Sequence, residues 1–393
     1  MLEGLLRLST HIFRCPPRLL SGPGCLAEAG QQATVLGLRH VLIVTSPQVK
    51  QAGHVARLAA SLQAAGVAST VFAAVDAEPT TAHVEAGHRA YVAANADGVV
   101  SIGGGSCLDA GKGVAVRACN AGPMSRYEGY DRILGGSVPH LAISTTAGTG
   151  SEVTRFAVFT DTERDVKMLA ASDAFIPNVA IEDAELTLSC PPAVTAAAGI
   201  DALTHAIEAY VSRHAQPLTD ALALAAIRLV SGALLRVYEH GDDLAARTSM
   251  LDASLQAGLA FSNASVALVH GMARPLGALF HIPHGAANGI LLPHVMAFSL
   301  PHALPRYAAI AEALGAAPPG TDQSLAPALA VDCVRTLCGR LGLGGLAAFG
   351  VSPQQLAAVA PKMAADALAS GSPANNPRVA SVAEIVALYQ QAL

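Results

Sequence analysis

Asp201 and His205 stand four residues apart in Gly199-Ile-Asp-Ala-Leu-Thr-His-Ala-Ile-Glu208, and His270 and His284 bracket a segment rich in glycine and proline. One carboxylate and three imidazoles form a ligand set for a borderline divalent ion, and they suit Fe²⁺ and Zn²⁺ alike. The spacing of four predicts a shared helix face, one turn apart. Ile200, Leu203 and Ile207 flank that face, so it points inward, where an ion is held away from water. The competing interpretation of the pair is an intrahelical hydrogen bond. The second cluster favours the metal, because glycine and proline around His270 and His284 let irregular backbone aim both rings at one point. His281 competes for the fourth place, but Asp201 offers the charge a divalent ion needs. His11, His54, His214, His240 and His302 occur in polar or terminal contexts, which assigns them to the surface.

The elements that must position these residues divide the chain in two. His40–Thr45, Ser69–Val75, Gly98–Ile102 and Pro139–Ser144 read as strands, with helical stretches at 51–66, 81–95 and from Ser106 to about Asn120. This alternation predicts a Rossmann-like parallel sheet with helices on both faces. Ahead of it, Phe13–Gly24 reads as an extended arm or hairpin. From Pro191 onward the chain is rich in alanine and leucine with helical periodicity, and Pro191-Pro192 marks a natural boundary. The expected organisation is an α/β dinucleotide-binding domain over 1–190 and an all-helical metal-binding domain over 191–393.

Two loops in the first half could hold a nucleotide. Gly103-Gly104-Gly105-Ser106 follows a strand and opens a helix, where backbone N–H groups and the positive helix end receive phosphate. Ser106 is expected both to cap that helix and to donate to a phosphate oxygen, and Asp109 lies one turn on. Ser144-Thr145-Thr146-Ala-Gly148-Thr149-Gly150 also follows a strand, at the carboxyl edge of the sheet where ligands bind. Gly342-Leu-Gly-Gly-Leu-Ala347 fits the dinucleotide fingerprint but follows a predicted helix, so it reads as a helix end and turn.

Composition narrows the class. With 52% hydrophobic and 13% charged residues the chain is a compact globular protein, and a net charge of −5 gives no reason to expect nucleic acid or an anionic membrane as partner. The first residues lack a signal-peptide pattern, and the most apolar run, 221–235, contains Arg228 and falls short of a bilayer span. Seven cysteines without a Cys-x-x-Cys fit the cytoplasm, each read as a small buried hydrophobe.

Gly103-Gly-Gly-Ser-Cys-Leu-Asp-Ala-Gly-Lys112, Thr145-Thr-Ala-Gly-Thr-Gly-Ser-Glu152, Gly199–Glu208, His270-Gly-Met-Ala-Arg-Pro-Leu-Gly277 and Pro283-His-Gly285, in this order, resemble the iron-dependent (group III) alcohol dehydrogenase family. The resemblance spans nearly the whole chain. It implies an active-site cleft between the two domains, with Asp201, His205, His270 and His284 as metal ligands. Gly103, Gly104, Gly105, Ser106 and Asp109, with Thr145, Thr146 and Thr149, are implied on the cofactor side, and Lys167 matches a family lysine near the cofactor. Dimers are common in the family, so a homodimer is expected.

Two positions depart from the family pattern. Arg274 stands where many members carry a histidine near the nicotinamide; it is either a structural arginine or a contact to an anionic group on the substrate. Ser46 stands where NAD-preferring members carry aspartate, which permits NADP as well as NAD. The leading expectation is a metal-dependent NAD(P) alcohol dehydrogenase or aldehyde reductase acting on a small primary alcohol. The alternatives are a non-redox cyclase of the dehydroquinate synthase type and a metal-stabilised structural protein.

Overall fold

The computed structural model describes residues 10–76, 78–164 and 166–393; the N-terminal segment judged unlike a signal peptide lies largely outside them. Strands β1 (Arg18–Ser21), β2 (His40–Val44), β3 (Ala68–Phe72), β4 (Gly98–Gly103), β5 (Gly129–Tyr130), β6 (His140–Ser144), β7 (Phe156–Asp161), β8 (Val166–Ala171) and β9 (Val179–Glu182) form two sheets. The main sheet runs β1-β9-β6-β4-β2-β3, every pair parallel. Helices α1 (Ala29–Val35), α2 (Pro47–Gln51), α3 (His54–Ala64), α4 (Thr81–Ala93) and α5 (Gly105–Arg117) accompany it. The predicted parallel α/β architecture is present, and its central strands β4 and β6 are buried along their whole length, as a sheet covered on both faces requires.

Several elements differ from expectation. The 13–24 arm is not a hairpin: Arg18–Ser21 adds to the sheet edge, in parallel with β9. The helix expected over 51–66 breaks at Gly53, whose φ of 86° starts α3 afresh. Val179–Glu182 and the antiparallel β7–β8 hairpin were not foreseen. Each hairpin strand carries only four consecutive apolar residues, Phe156–Phe159 and Met168–Ala171, too short a run to mark a strand by pattern alone.

From Pro192 the described chain is helical: α6 (Pro192–Val211), α7 (Pro217–Glu239), α8 (Leu244–Ala264), α9 (Leu268–Phe280), α10 (His284–Ser299), α11 (Leu304–Ala313), α12 (Ala326–Arg340), α13 (Pro353–Ala369) and α14 (Val382–Gln391). Proline at the first turn of α6 and α7 supplies the fixed φ suited to that position. α6 is the central helix, buried continuously from Gly199 to Val211 and packed against α7, α8 and α10. Its core cluster joins Ile200, Leu203 and Ile207 to residues of nearly every later helix.

The apolar run at 221–235 belongs to a longer helix than expected. α7 has 23 residues, long and apolar enough for a bilayer by length and composition; here Ala223, Ala226, Ile227, Val230 and Leu234 pack into the bundle core. The fingerprint-like Gly342 segment does follow the end of a helix, α12, with Gly342 at φ 73°. Cys107 and Cys338 are buried as expected, whereas Cys15 and Cys119 are exposed.

Candidate active site

α6 carries Asp201 and His205 inward on one face, as the spacing predicts, and α9 and α10 bring His270 and His284 to them. The Asp201 Oδ1 atom lies 3.6 Å from His270 Nε2, 3.8 Å from His284 Nε2 and 4.0 Å from His205 Nε2. Ligands about 2.1 Å from a tetrahedral ion lie about 3.4 Å from one another, so these separations fit a single divalent ion. Asp201, His270 and His284 form the tight triad, and His205 joins it through its contact with Asp201. His281, the competitor for the fourth place, is instead the exposed end residue of α9, with φ 54°.

Three of the four expected ligands are held by a neighbour. Glu208 accepts hydrogen bonds from His270 Nδ1 at 2.6 Å and from the backbone N–H groups of Ala267 at 2.9 Å and Val269 at 2.6 Å. With Nδ1 carrying the proton, the Nε2 lone pair of His270 faces Asp201, as ligation needs. His205 Nδ1 lies 3.3 Å from the carbonyl of Gly148, which orients its other nitrogen in the same way. Asn288 donates to Asp201 Oδ1 at 2.6 Å from one turn beyond His284. Phe261 stacks on His205 with ring centres 4.1 Å apart, and Phe156 and Tyr130 continue the row outward.

The electrostatics favour a cation. Burial opposes ionisation of Asp201, yet the three imidazoles around it hold its pKa well below the usual carboxylate range. Burial likewise lowers His205, to about 4. At His270 burial works in the same direction, but Glu208 and Asp201 outweigh it and lift the pKa to about 9. This pair of carboxylates attracts positive charge, whether a proton or the divalent ion that displaces it.

The second group of expected residues gathers where β4 and β6 end. Gly103 pairs with Ser144 in register, so both loops leave the same carboxyl edge side by side. A Cβ on Gly105 would lie 2.9 Å from the side chain of Thr149, and one on Gly104 would lie 3.4 Å from Thr146. Gly104, Gly105, Thr146 and Thr149 thus form a narrow cradle at the start of α5, which keeps backbone N–H groups accessible to a phosphate. Thr145 is buried at its base, its N–H donating to the carbonyl of Gly103.

Other expected members of this group take different roles. Gly104 is the N-terminal cap residue of α5 and has no side chain to cap it, so Ser106 lies inside the first turn and accepts no capping N–H. Asp109 points away from the cradle, accepting from Ser151 Oγ at 2.5 Å and the N–H of Val158 at 2.9 Å. Ser46 follows β2 as the residue that caps α2, its hydroxyl accepting from Val49 at 3.1 Å. Lys167 lies on the β7–β8 hairpin, paired with Glu78 at 2.7 Å, and its amine would be 3.6 Å from a Cβ on Gly277 of α9. His54, assigned to the surface, is buried with Nε2 2.9 Å from Ser189 Oγ.

Three residues that hold the ligands escaped the sequence reading. Glu208 was legible, since 201, 205 and 208 repeat at helical spacing along one face. Asn288, one turn after His284, carried the same signal. Phe261 carried none, because only the packing of α8 on α6 brings it to His205.

Comparison with known proteins agrees with this arrangement. Residues 16–184 match the family model for iron-containing alcohol dehydrogenase, and 195–393 match that for the C-terminal part of the Fe-containing alcohol dehydrogenase family. The 1,3-propanediol dehydrogenase of Citrobacter freundii is 38% identical over 374 residues, covering 94% of this chain and 96% of that protein. A crystal structure of a 1,3-propanediol oxidoreductase superposes with a TM-score of 0.95 at 37% identity, covering 98% of this chain and all of the other. Sulfoacetaldehyde reductase from Bifidobacterium kashiwanohense, solved in complex with NAD⁺, superposes with a TM-score of 0.88 at 29% identity, covering 98% and 99%. By sequence and by fold, this chain belongs to the iron-containing alcohol dehydrogenase family and is an oxidoreductase.

Proposed function

We propose that the protein is an iron-dependent NAD(P) alcohol dehydrogenase, working in reverse as an aldehyde reductase, for small primary alcohols. In this reading residues 1–190 are the dinucleotide-binding domain and 191–393 the metal-binding domain. Asp201, His205, His270 and His284 would hold the ion; Gly103, Gly104, Gly105, Ser106, Thr145, Thr146 and Thr149 would hold the nucleotide. When bound, iron supplies polarisation of the substrate oxygen and nicotinamide supplies the hydride acceptor.

The observation that carries the proposal is the loop 145–150. Its threonines close on Gly104 and Gly105, while its Gly148 carbonyl orients His205. A Cβ on Gly148 would lie 2.7 Å from atoms of Ala198, so the loop lies directly on α6. One short segment therefore joins the nucleotide cradle to the metal cluster, the juxtaposition that hydride exchange between an alcohol and nicotinamide requires.

The chain's side chains contribute in defined ways. Glu208 and the Gly148 carbonyl hold the protons of His270 and His205 on Nδ1. The row Phe261, Phe156 and Tyr130 gives the cleft an apolar wall that excludes water beside His205. Arg274 keeps its proton and serves as no base. The proposal extends to a cytoplasmic homodimer using NAD, with Ser46 tolerating NADP since it places no carboxylate after β2.

The test is removal of the metal by chelation, with oxidation of short alcohols followed by NADH and NADPH formation. Loss of turnover restored by Fe²⁺ is expected; undiminished turnover in metal-free protein overturns the proposal. A cyclase of the dehydroquinate synthase type would cycle nicotinamide without net NADH.

A further inference from the structure

Arg274 is unlike the other arginines of the cleft. Arg155 is paired with Asp131 and Asp173, and Arg14 with Asp173. Arg274, only partly exposed, has no hydrogen bond or ion pair among the described residues. A guanidinium has five N–H donors, and holding one away from water without an anion is costly. The carboxylate that acts on it is Glu208, whose oxygens already receive three hydrogen bonds from Ala267, Val269 and His270. Tyr130 also lies within electrostatic reach of it.

Its position relative to the metal cluster is set by α9. His270, Arg274 and Gly277 are spaced i, i+4 and i+7 and so share one face of the helix. His270 presents Nε2 to the cluster at one end of that face, and Lys167 approaches Gly277 at the other. Arg274 lies between, about 6 Å along the helix from His270, and its charge also reaches His284. Lys167 is neutralised by Glu78 at 2.7 Å, which leaves Arg274 as the unpaired cation of this face.

We infer that Arg274 binds the anionic end of the substrate, selecting a short alcohol or aldehyde that carries a carboxylate or sulfonate. The hydroxyl or carbonyl lies at the metal cluster and the anion lies one helical turn away, against a bidentate donor suited to it. The one-turn separation fits a chain of about two to four carbons between the two ends. The inference rests on the dehydrogenase reading of the same site.

The experiment compares matched substrates on the iron-loaded protein: γ-hydroxybutyrate against butanol, and isethionate against ethanol. The wild-type chain should show the higher kcat/KM for the acid of each pair. Arg274→Met should lower that value for the acids about a hundredfold, mainly through KM, and change the neutral alcohols by less than about tenfold. Arg274→Lys should restore part of the loss. Calorimetric titration of butyrate into chelator-treated protein gives a readout independent of turnover, with saturable binding expected for wild type and Arg274→Lys and none for Arg274→Met. Equal losses for acid and alcohol, or butyrate binding that survives in Arg274→Met, overturn the inference. A change confined to the KM for NAD assigns Arg274 to the nucleotide and overturns it too. Failure of the loaded wild type to oxidise any of the four compounds counts against the dehydrogenase reading, and the butyrate titration then still decides the role of Arg274.

Discussion

The proposed nucleotide cradle and the proposed metal cluster are joined by one loop, yet they are built from opposite materials. The cradle is backbone and small groups: Gly105 faces Thr149 closely enough that a single Cβ would intrude, and Gly104 lies beside Thr146. The cluster is larger side chains, three of the four fixed by a partner: His270 by Glu208, His205 by the Gly148 carbonyl, Asp201 by Asn288. A cradle fails when an atom is added. A cluster fails when an atom is removed.

The largest effects should therefore follow deletion in the cluster. Asp201→Ala removes the carboxylate that all three imidazoles face, and a loss of about 10²–10³-fold in kcat is expected, with little iron retained in metal analysis. Glu208→Gln should keep the fold but weaken iron binding about 10–100-fold, the usual cost of losing a partner behind a ligating histidine; chelator competition measures it. If iron affinity is unchanged, Glu208 supports only the start of α9. The complementary experiment adds an atom to the cradle. Gly105→Ala should raise the KM for NAD about tenfold, equivalent to about 1.4 kcal/mol, with iron content unchanged. Loss of iron in that variant would mean the two regions are not separable in this way.

The same contrast explains what could be read from the sequence. The cluster was legible because helical spacing places 201 and 205 together and the glycine–proline segment suits two converging histidines. Strand-loop-helix order revealed the cradle glycines, but not which nearby side chains turn inward. Asp109 and Ser46 are expected near the nucleotide from the family resemblance; that Asp109 accepts from Ser151 and Val158, and Ser46 from Val49, no local pattern announces. The β7–β8 hairpin and β9 were missed because the strands are short: β7 and β8 are fixed by pairing with one another, and β9 by pairing with β6 far along the chain, rather than by local pattern. Phe261 depends on packing between helices, which no local signal encodes.

A smaller effect should appear beside the joining loop. Glu152, just after it, and Glu182, ending β9, are both buried carboxyl groups. Burial raises the pKa of each, and the charge of Glu152 raises Glu182 further, well above the usual value. A carboxyl raised by folding contributes its full stability below its unfolded pKa and loses it as pH rises through the folded value. Unfolding free energy should accordingly fall as pH climbs above the ordinary carboxylate range. In Glu182→Gln the denaturation profile should flatten over that interval; an unchanged profile would exclude this pair as its source.

Glu208 has one more consequence. The same carboxylate that orients His270 also receives the amides of Ala267 and Val269 at the start of α9. Opening of that helix end and release of the ligand are therefore a single local event. Hydrogen exchange at these two amides should slow when iron is bound, making the beginning of α9 a reporter of metal occupancy that needs no substrate.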